Sequence, residues 1–184
     1  MKPASVHCQM KQKEPSHQPP LPPRQRPGYC QMKQIEDIHT VLLGLGTNLG
    51  DLTHNMLTAI DMIGQQVGTV VRQSSFHESE PWGFHSDNKF LNAVVMVETT
   101  LQPQELLTAT QSIERTMGRT RKSTNGQYHD RIIDIDILLY DDLHINEPNL
   151  IIPHPLMYKR PFVMEPLAEI LQDSGSDNTI PQHR

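Results

Sequence analysis

The sequence predicts an α+β domain of ferredoxin-like type: a β-α-β-β-α-β antiparallel sheet with helices on one face, plus a C-terminal hairpin and short helix. Three observations predict it. Strict alternation marks two segments as strands, with Leu91, Ala93, Val95 and Val97 apolar in one and Ile133, Ile135, Ile137 and Leu139 apolar in the other. Two other segments carry helical spacing behind good start signals. These segments follow one another as strand, helix, strand, strand, helix, strand.

Strand one is the apolar run from Thr40 to Leu45, closed by Gly46. Asp51 can cap a helix whose stripe is Leu52, Met56, Ala59, Ile60 and Ile63, with Gly64 as its stop. Strand two is Thr69 to Phe76, and residues 77–89, with Pro81 and Gly83, are a loop. Strand three is Phe90 to Glu98. Pro103 opens a second helix with Leu106, Leu107, Ile113 and Met117 on its buried side. Gly118 to Asp130 is a loop, and strand four is 131–140. Beyond it come a hairpin, a Pro-rich segment, a short helix near Val163–Leu171 and a polar end.

Residues 39–172 therefore form the domain, between a tail (1–38) and a polar end (173–184). The tail holds seven of the chain's 15 prolines and both cysteines, Cys8 and Cys30, so a disulfide framework is not expected. It also repeats Cys-Gln-Met-Lys-Gln at 8–12 and 30–34. We read it as a disordered linker, or as sequence upstream of a start at Met32. No apolar run approaches the ~20 residues of a membrane span, and no secretory leader stands out, so a cytoplasmic monomer acting on small molecules is expected. The net charge of −5 argues against a nucleic-acid partner.

Strand parity places the chemistry. If the odd positions face the helices, Phe90, Asn92, Asp134 and Asp136 share the opposite face. Carboxylates at i and i+2 stand roughly 6–7 Å apart. They read either as solvent-facing charge on a half-exposed sheet or as a site for hard cations. Just upstream, Gly118-Arg119-Thr120-Arg121-Lys122 and Arg131 carry four of the ten basic residues after position 38. They read either as basic groups meeting a helix C-terminus or as a phosphate grip. Gly44-Leu45-Gly46-Thr47-Asn48-Leu49-Gly50 misses the dinucleotide fingerprint by one residue and lacks a P-loop lysine, so it reads as a tight strand-to-helix turn. Trp82, in Ser79-Glu80-Pro81-Trp82-Gly83-Phe84, is either a lid over a planar ligand or an anchor for its loop. The histidines are scattered, and adjacency alone does not make His129-Asp130 a catalytic dyad.

Several spaced matches together resemble one family. They are Gln111-x-x-Glu114, Gly118-Arg119-x-Arg121 and Tyr128-x-x-Arg131-x-x-Asp134-x-Asp136, with Gly46-Thr47-Asn48-Leu49, Ser74-Ser75-Phe76, Phe90-Leu91-Asn92-Ala93, Pro153-His154, Arg160 and Phe162 in support. From Thr40 to about Ile170 the chain is similar to hydroxymethyldihydropterin pyrophosphokinase of the folate pathway. The resemblance implies transfer of diphosphate from ATP to the hydroxymethyl group of a reduced pterin. It implies two Mg²⁺ held by Asp134 and Asp136, with Arg119 and Arg131 on the transferring phosphates. It implies an ATP site of Gln111, Glu114, Arg121, Tyr128, His154 and Arg160. The pterin would stack between Phe90 and Phe162 and be read by Asn92, with Thr47, Ser79, Pro81 and Trp82 around it. The chain departs from the family at Tyr128, at His129-Asp130, where Gly-Pro is common, at Pro155 and in a longer loop 122–130. The alternative is a non-catalytic ferredoxin-like nucleotide- or RNA-binding module, against which the acidic sheet face argues.

Overall fold

A computed structural model describes residues 37–83, 86–119 and 129–172. The predicted tail up to residue 36, Phe84, Arg121, Lys122, Tyr128 and the end from 173 lie outside the described residues. The elements are β1 (His39–Thr47), α1 (Leu52–Gln66), β2 (Thr69–Gln73), β3 (His77–Ser79), β4 (Phe90–Thr99), α2 (Pro103–Thr116), β5 (Asp134–Tyr140), β6 (Ile145–Glu147), β7 (Leu150–Ile152), a 3₁₀ turn (Met157–Lys159) and α3 (Pro161–Gln172). The main sheet runs β2-β4-β1-β5, with β3 also on β4, and every pairing is antiparallel. Strands β6 and β7 make the expected hairpin.

The predicted alternation builds the main core. Leu91, Ala93, Val95, Val97, Ile133, Ile135 and Ile137 pack with Met56, Ala59 and Ile63 of α1 and Leu106 and Ile113 of α2. The Asp51 carboxylate accepts from the His54 N–H at 3.0 Å, capping α1. Glu105 reaches back to the Gln102 N–H at 2.9 Å, which starts α2 behind Pro103.

Five local expectations are corrected. Helix α1 passes through Gly64 and ends at Gln66. The close approach is at Gly68, where a Cβ would lie 2.1 Å from the Glu98 carbonyl oxygen. Strand two stops at Gln73 rather than Phe76, where the Ser74 hydroxyl takes the place of a backbone partner by accepting from the Val94 N–H at 3.0 Å, and the short β3 forms inside the expected loop 77–89. Strand four starts at Asp134, not 131, since Asn48 takes both backbone groups of Arg131. Leu139 does not join the odd-numbered set: Leu42 pairs with Leu139 and Leu43 with Ile137, so Leu138 is an extra, bulged residue. The bulge turns Leu139 toward the other face and puts Tyr140, fully buried, into the main core. Finally, β1 runs on through Gly46 to Thr47, past the Leu45 at which strand one was expected to stop.

The C-terminal helix does more than follow the domain. Val163, Leu167 and Ile170 of α3 form a second core with Leu42, Val94, Leu138 and Met157 on the sheet face opposite α1 and α2. That face is thus divided: one end is closed by α3, and the other stays open around Asp134 and Asp136.

Candidate active site

The cleft floor is a consequence of register. Central strand β1 sets Gly44 beside Asp136 and Gly46 beside Asp134 on one flank, and beside Val94 and Asn92 on the other. Leu43 and Leu45 point into the main core, so the two glycines face the cleft. Lacking side chains, they leave room between the carboxylates and Asn92; a Cβ on Gly46 would sit 3.4 Å from Asn92 Oδ1. The cleft is lined by Ser79, Glu80, Trp82, Phe90, Asn92, Arg131, Asp134, Asp136, Arg160 and Phe162, among others.

One wall is aromatic and cationic. The Arg160 guanidinium lies 5.0 Å from the Trp82 ring centroid and 5.8 Å from that of Phe162, and Arg131 lies 5.5 Å from Phe90. Trp82 meets Phe162 edge-on at 6.3 Å. Asn92, 4 % exposed, is held by its amide: Nδ2 donates to Ser79 Oγ at 3.0 Å and to the His77 carbonyl at 3.2 Å.

The opposite wall is ionic. Arg131 pairs with Asp134 Oδ2 at 3.0 Å, and Arg119 Nη1 donates to both Asp134 and Glu114. Glu114 is buried and also accepts from the Ile135 N–H at 2.8 Å. Burial raises the Glu114 carboxyl above its usual range, opposed by Arg119. Burial pulls the Arg119 guanidinium down, but the charges of Asp134 and Glu114 outweigh it and hold it above its ordinary value. Arg119 Nε is buried with no hydrogen-bond partner among the described residues.

Asp136 is placed differently. Its contacts are longer, 3.5 Å to Arg160 and 3.9 Å to His154. Desolvation in the cleft floor, then the Asp134 charge, push its carboxyl up to about 7. Desolvation and Arg160 push His154 down to about 4. The two carboxylates offer only oxygen donors, and no third His, Cys, Asp or Glu among the described residues joins them to make a protein-only cage. A hard cation here would complete its shell from water or ligand oxygens, which is how Mg²⁺ is usually held. The donor set therefore fits it.

These two shifts have opposite stability consequences. Reference values are about 3.9 for Asp and 6.5 for His. Below 7 the folded protein holds the extra proton at Asp136, so that stability contribution is lost as pH rises through 7. At His154 the unfolded chain holds the extra proton, so stability is lost as pH falls from 6.5 toward 4. In metal-free buffer, Asp136→Asn should melt above the wild type at about pH 8 and lose that advantage by about pH 4. His154→Gln should show its advantage only at the acid end. Calorimetric Tm values that differ from wild type by a pH-independent amount would refute both assignments.

The structure gathers most of the site residues expected from sequence. Ser79, Trp82, Phe90, Asn92, Arg131, Asp134, Asp136, Arg160 and Phe162 line one cleft. His154 lines an adjoining groove that shares Asp136, with Leu107, Ile135, Ile137 and Ile151. Glu114 lies beneath the cleft rather than in its lining, holding Arg119. Thr47 is also off the wall, fully buried, its hydroxyl accepting from Asn55 at 3.4 Å. Pro81 is flanked by the lining residues Glu80 and Trp82, and half-buried Gln111 lines neither space. Missed altogether were the floor glycines and the contacts of Asn48 and Asp130. The Leu-Gly-Leu-Gly alternation of 43–46 was the available signal for the first; nothing in sequence signalled the second.

Comparison with known proteins points one way. Residues 42–172 match the profile of the 7,8-dihydro-6-hydroxymethylpterin-pyrophosphokinase family. The chain is 49% identical over 131 residues to a 2-amino-4-hydroxy-6-hydroxymethyldihydropteridine pyrophosphokinase of Porphyromonas gingivalis, covering 71% of this chain and 89% of that one. A Bacillus subtilis protein of the same name is 41% identical over 138 residues, 74% of this chain and 81% of that one. Among solved structures, a Plasmodium falciparum HPPK-DHPS chain superimposes with a TM-score of 0.55 at 16% identity, over 70% of this chain and 40% of that one, a likeness of fold.

Proposed function

Since the chain belongs to the 7,8-dihydro-6-hydroxymethylpterin-pyrophosphokinase family, we propose that it transfers the terminal diphosphate of ATP to the hydroxymethyl group of 6-hydroxymethyl-7,8-dihydropterin, releasing AMP. The observation that carries this is the single cleft in which a carboxylate pair and arginines adjoin an aromatic wall with a buried amide. In the reaction the pterin hydroxyl oxygen forms a bond to the β-phosphorus. The bond from that phosphorus to the α-β bridging oxygen breaks, AMP leaves with the electron pair, and the hydroxyl proton is lost.

Asp134 and Asp136 would hold two Mg²⁺, which would neutralise the polyphosphate and its developing charge. The protein's own groups do the positioning. Phe90 and Phe162 would hold the flat pterin, and Asn92, fixed by Ser79 and His77, would meet its polar edge. Arg131 and Arg119 would orient the transferring phosphates as forked, permanently charged donors. Glu114 would act through Arg119. Neutral His154 and the apolar groove beside Asp136 would take the nucleotide end. Arg121 and Tyr128 would complete the ATP site.

The test is AMP release from ATP, followed by chromatography, with and without hydroxymethyldihydropterin and Mg²⁺. AMP should form only when both are present, should stop on chelation and should resume on adding Mg²⁺. Formation of ADP, or AMP release that ignores the pterin, would overturn the proposal.

A further inference from the structure

Asp130 carries a set of contacts that the reading above does not use. Its Oδ1 accepts from Asn48 Nδ2 at 2.7 Å and from Ser86 Oγ at 2.7 Å, and its Oδ2 accepts from Asn88 Nδ2 at 3.0 Å. Two segments distant in sequence, at Asn48 and at 86–88, thus meet on one exposed carboxylate. Asn48, 3 % exposed, passes the contact on. Its Oδ1 accepts from the Arg131 N–H at 2.8 Å, and its own N–H donates to the Arg131 carbonyl at 3.1 Å. The backbone of Arg131 is therefore gripped on both sides, which aims its guanidinium at Asp134 and over Phe90. Ser86 and Asn88 lead directly into Phe90 and are themselves tied, the Asn88 N–H donating to Ser86 Oγ at 3.1 Å.

A carboxylate suits this position. It only accepts, on two oxygens with about four lone-pair sites, and here it meets three donors. An amide would turn a donor toward one of them. The hydrogen bond from Ser86, with those of Asn48 and Asn88, also holds the Asp130 carboxyl below its usual range, so it stays ionised.

We propose that Asp130 is a positioning residue, coupling the segment that precedes Phe90 to Arg131 so that the acceptor wall and the phosphate grip are set together. This rests on the proposed pterin–ATP reaction for its kinetic meaning. The coupling itself can be read without turnover, because Trp82 is the chain's one tryptophan and lies in the same inter-strand loop.

The experiment compares full-length wild type with Asp130→Ala and Asp130→Asn. Acrylamide quenching of Trp82 in the ligand-free protein should rise clearly in Asp130→Ala and less in Asp130→Asn. In turnover, kcat should fall roughly tenfold to a hundredfold in Asp130→Ala, as expected for misplaced reacting groups, with kcat/KM for the pterin and for ATP falling together. The melting temperature should barely move, since Asp130 is exposed. Unchanged Trp82 quenching in Asp130→Ala overturns the coupling. A loss confined to the parameters of one substrate overturns the joint setting of the two sides. If wild type itself makes no AMP, the proposed reaction fails and the quenching comparison still decides the coupling.

Discussion

Asp136→Ala is expected to lower diphosphate transfer about a thousandfold or more, the scale of losing a principal transition-state charge stabiliser, yet to fold normally. The two effects separate for a geometric reason. Asp136 faces the cleft floor, while Ile135 and Ile137 on either side of it make the core contacts. Its carboxyl is raised to about 7 by desolvation and by Asp134, so the metal-free fold holds the anion at a cost. Removing it relieves that repulsion. The variant should melt no lower than wild type at neutral pH in chelator, and addition of Mg²⁺, which should stabilise the wild type, should leave it unmoved. Near-full activity, or a large fall in Tm, would contradict this placement of function away from the core.

The second large effect is a contrast between two arginines. Arg131→Ala should reduce turnover about 10²–10³-fold, the usual loss for one preorganised donor, with little effect on stability. Arg119→Ala should reduce turnover comparably and also destabilise the domain by about 3–5 kcal/mol, the range for breaking a buried pair. Arg119 is the charge that meets buried Glu114, which also accepts from the Ile135 N–H and lies against the Asp134 carboxyl. Without it an uncompensated carboxylate remains under β5. Urea unfolding of the two variants tests the difference. The double variant Arg119→Ala with Glu114→Gln should recover stability but not turnover. Equal stability of the single variants would show that Glu114 finds its compensation elsewhere.

How much of this was legible beforehand differs by residue. Phe90, Asn92, Asp134 and Asp136 were placed on one face by parity alone, because side chains on a strand must alternate. Leu139 was misassigned because a bulge adds a residue without any mark in the local pattern. Gly46 was taken for the close of strand one, since glycine signals turns more often than a cleft floor. At Asp130, where this chain leaves the pattern of the family it resembles, the sequence showed only an aspartate beside a histidine. Its partners Asn48, Ser86 and Asn88 come from other segments.

Four strands of the main sheet, the first two helices, the face that carries the chemistry and the family were all readable from the chain. Those depend on local periodicity and on spacing within single segments. That α3 closes one end of that face, that Glu114 supports Arg119 from below, and that Arg131 is held through Asn48 and Asp130 emerged only from the folded domain. Each of these joins residues far apart in the chain, and register, bulges and helix docking bring them together through packing of the whole domain.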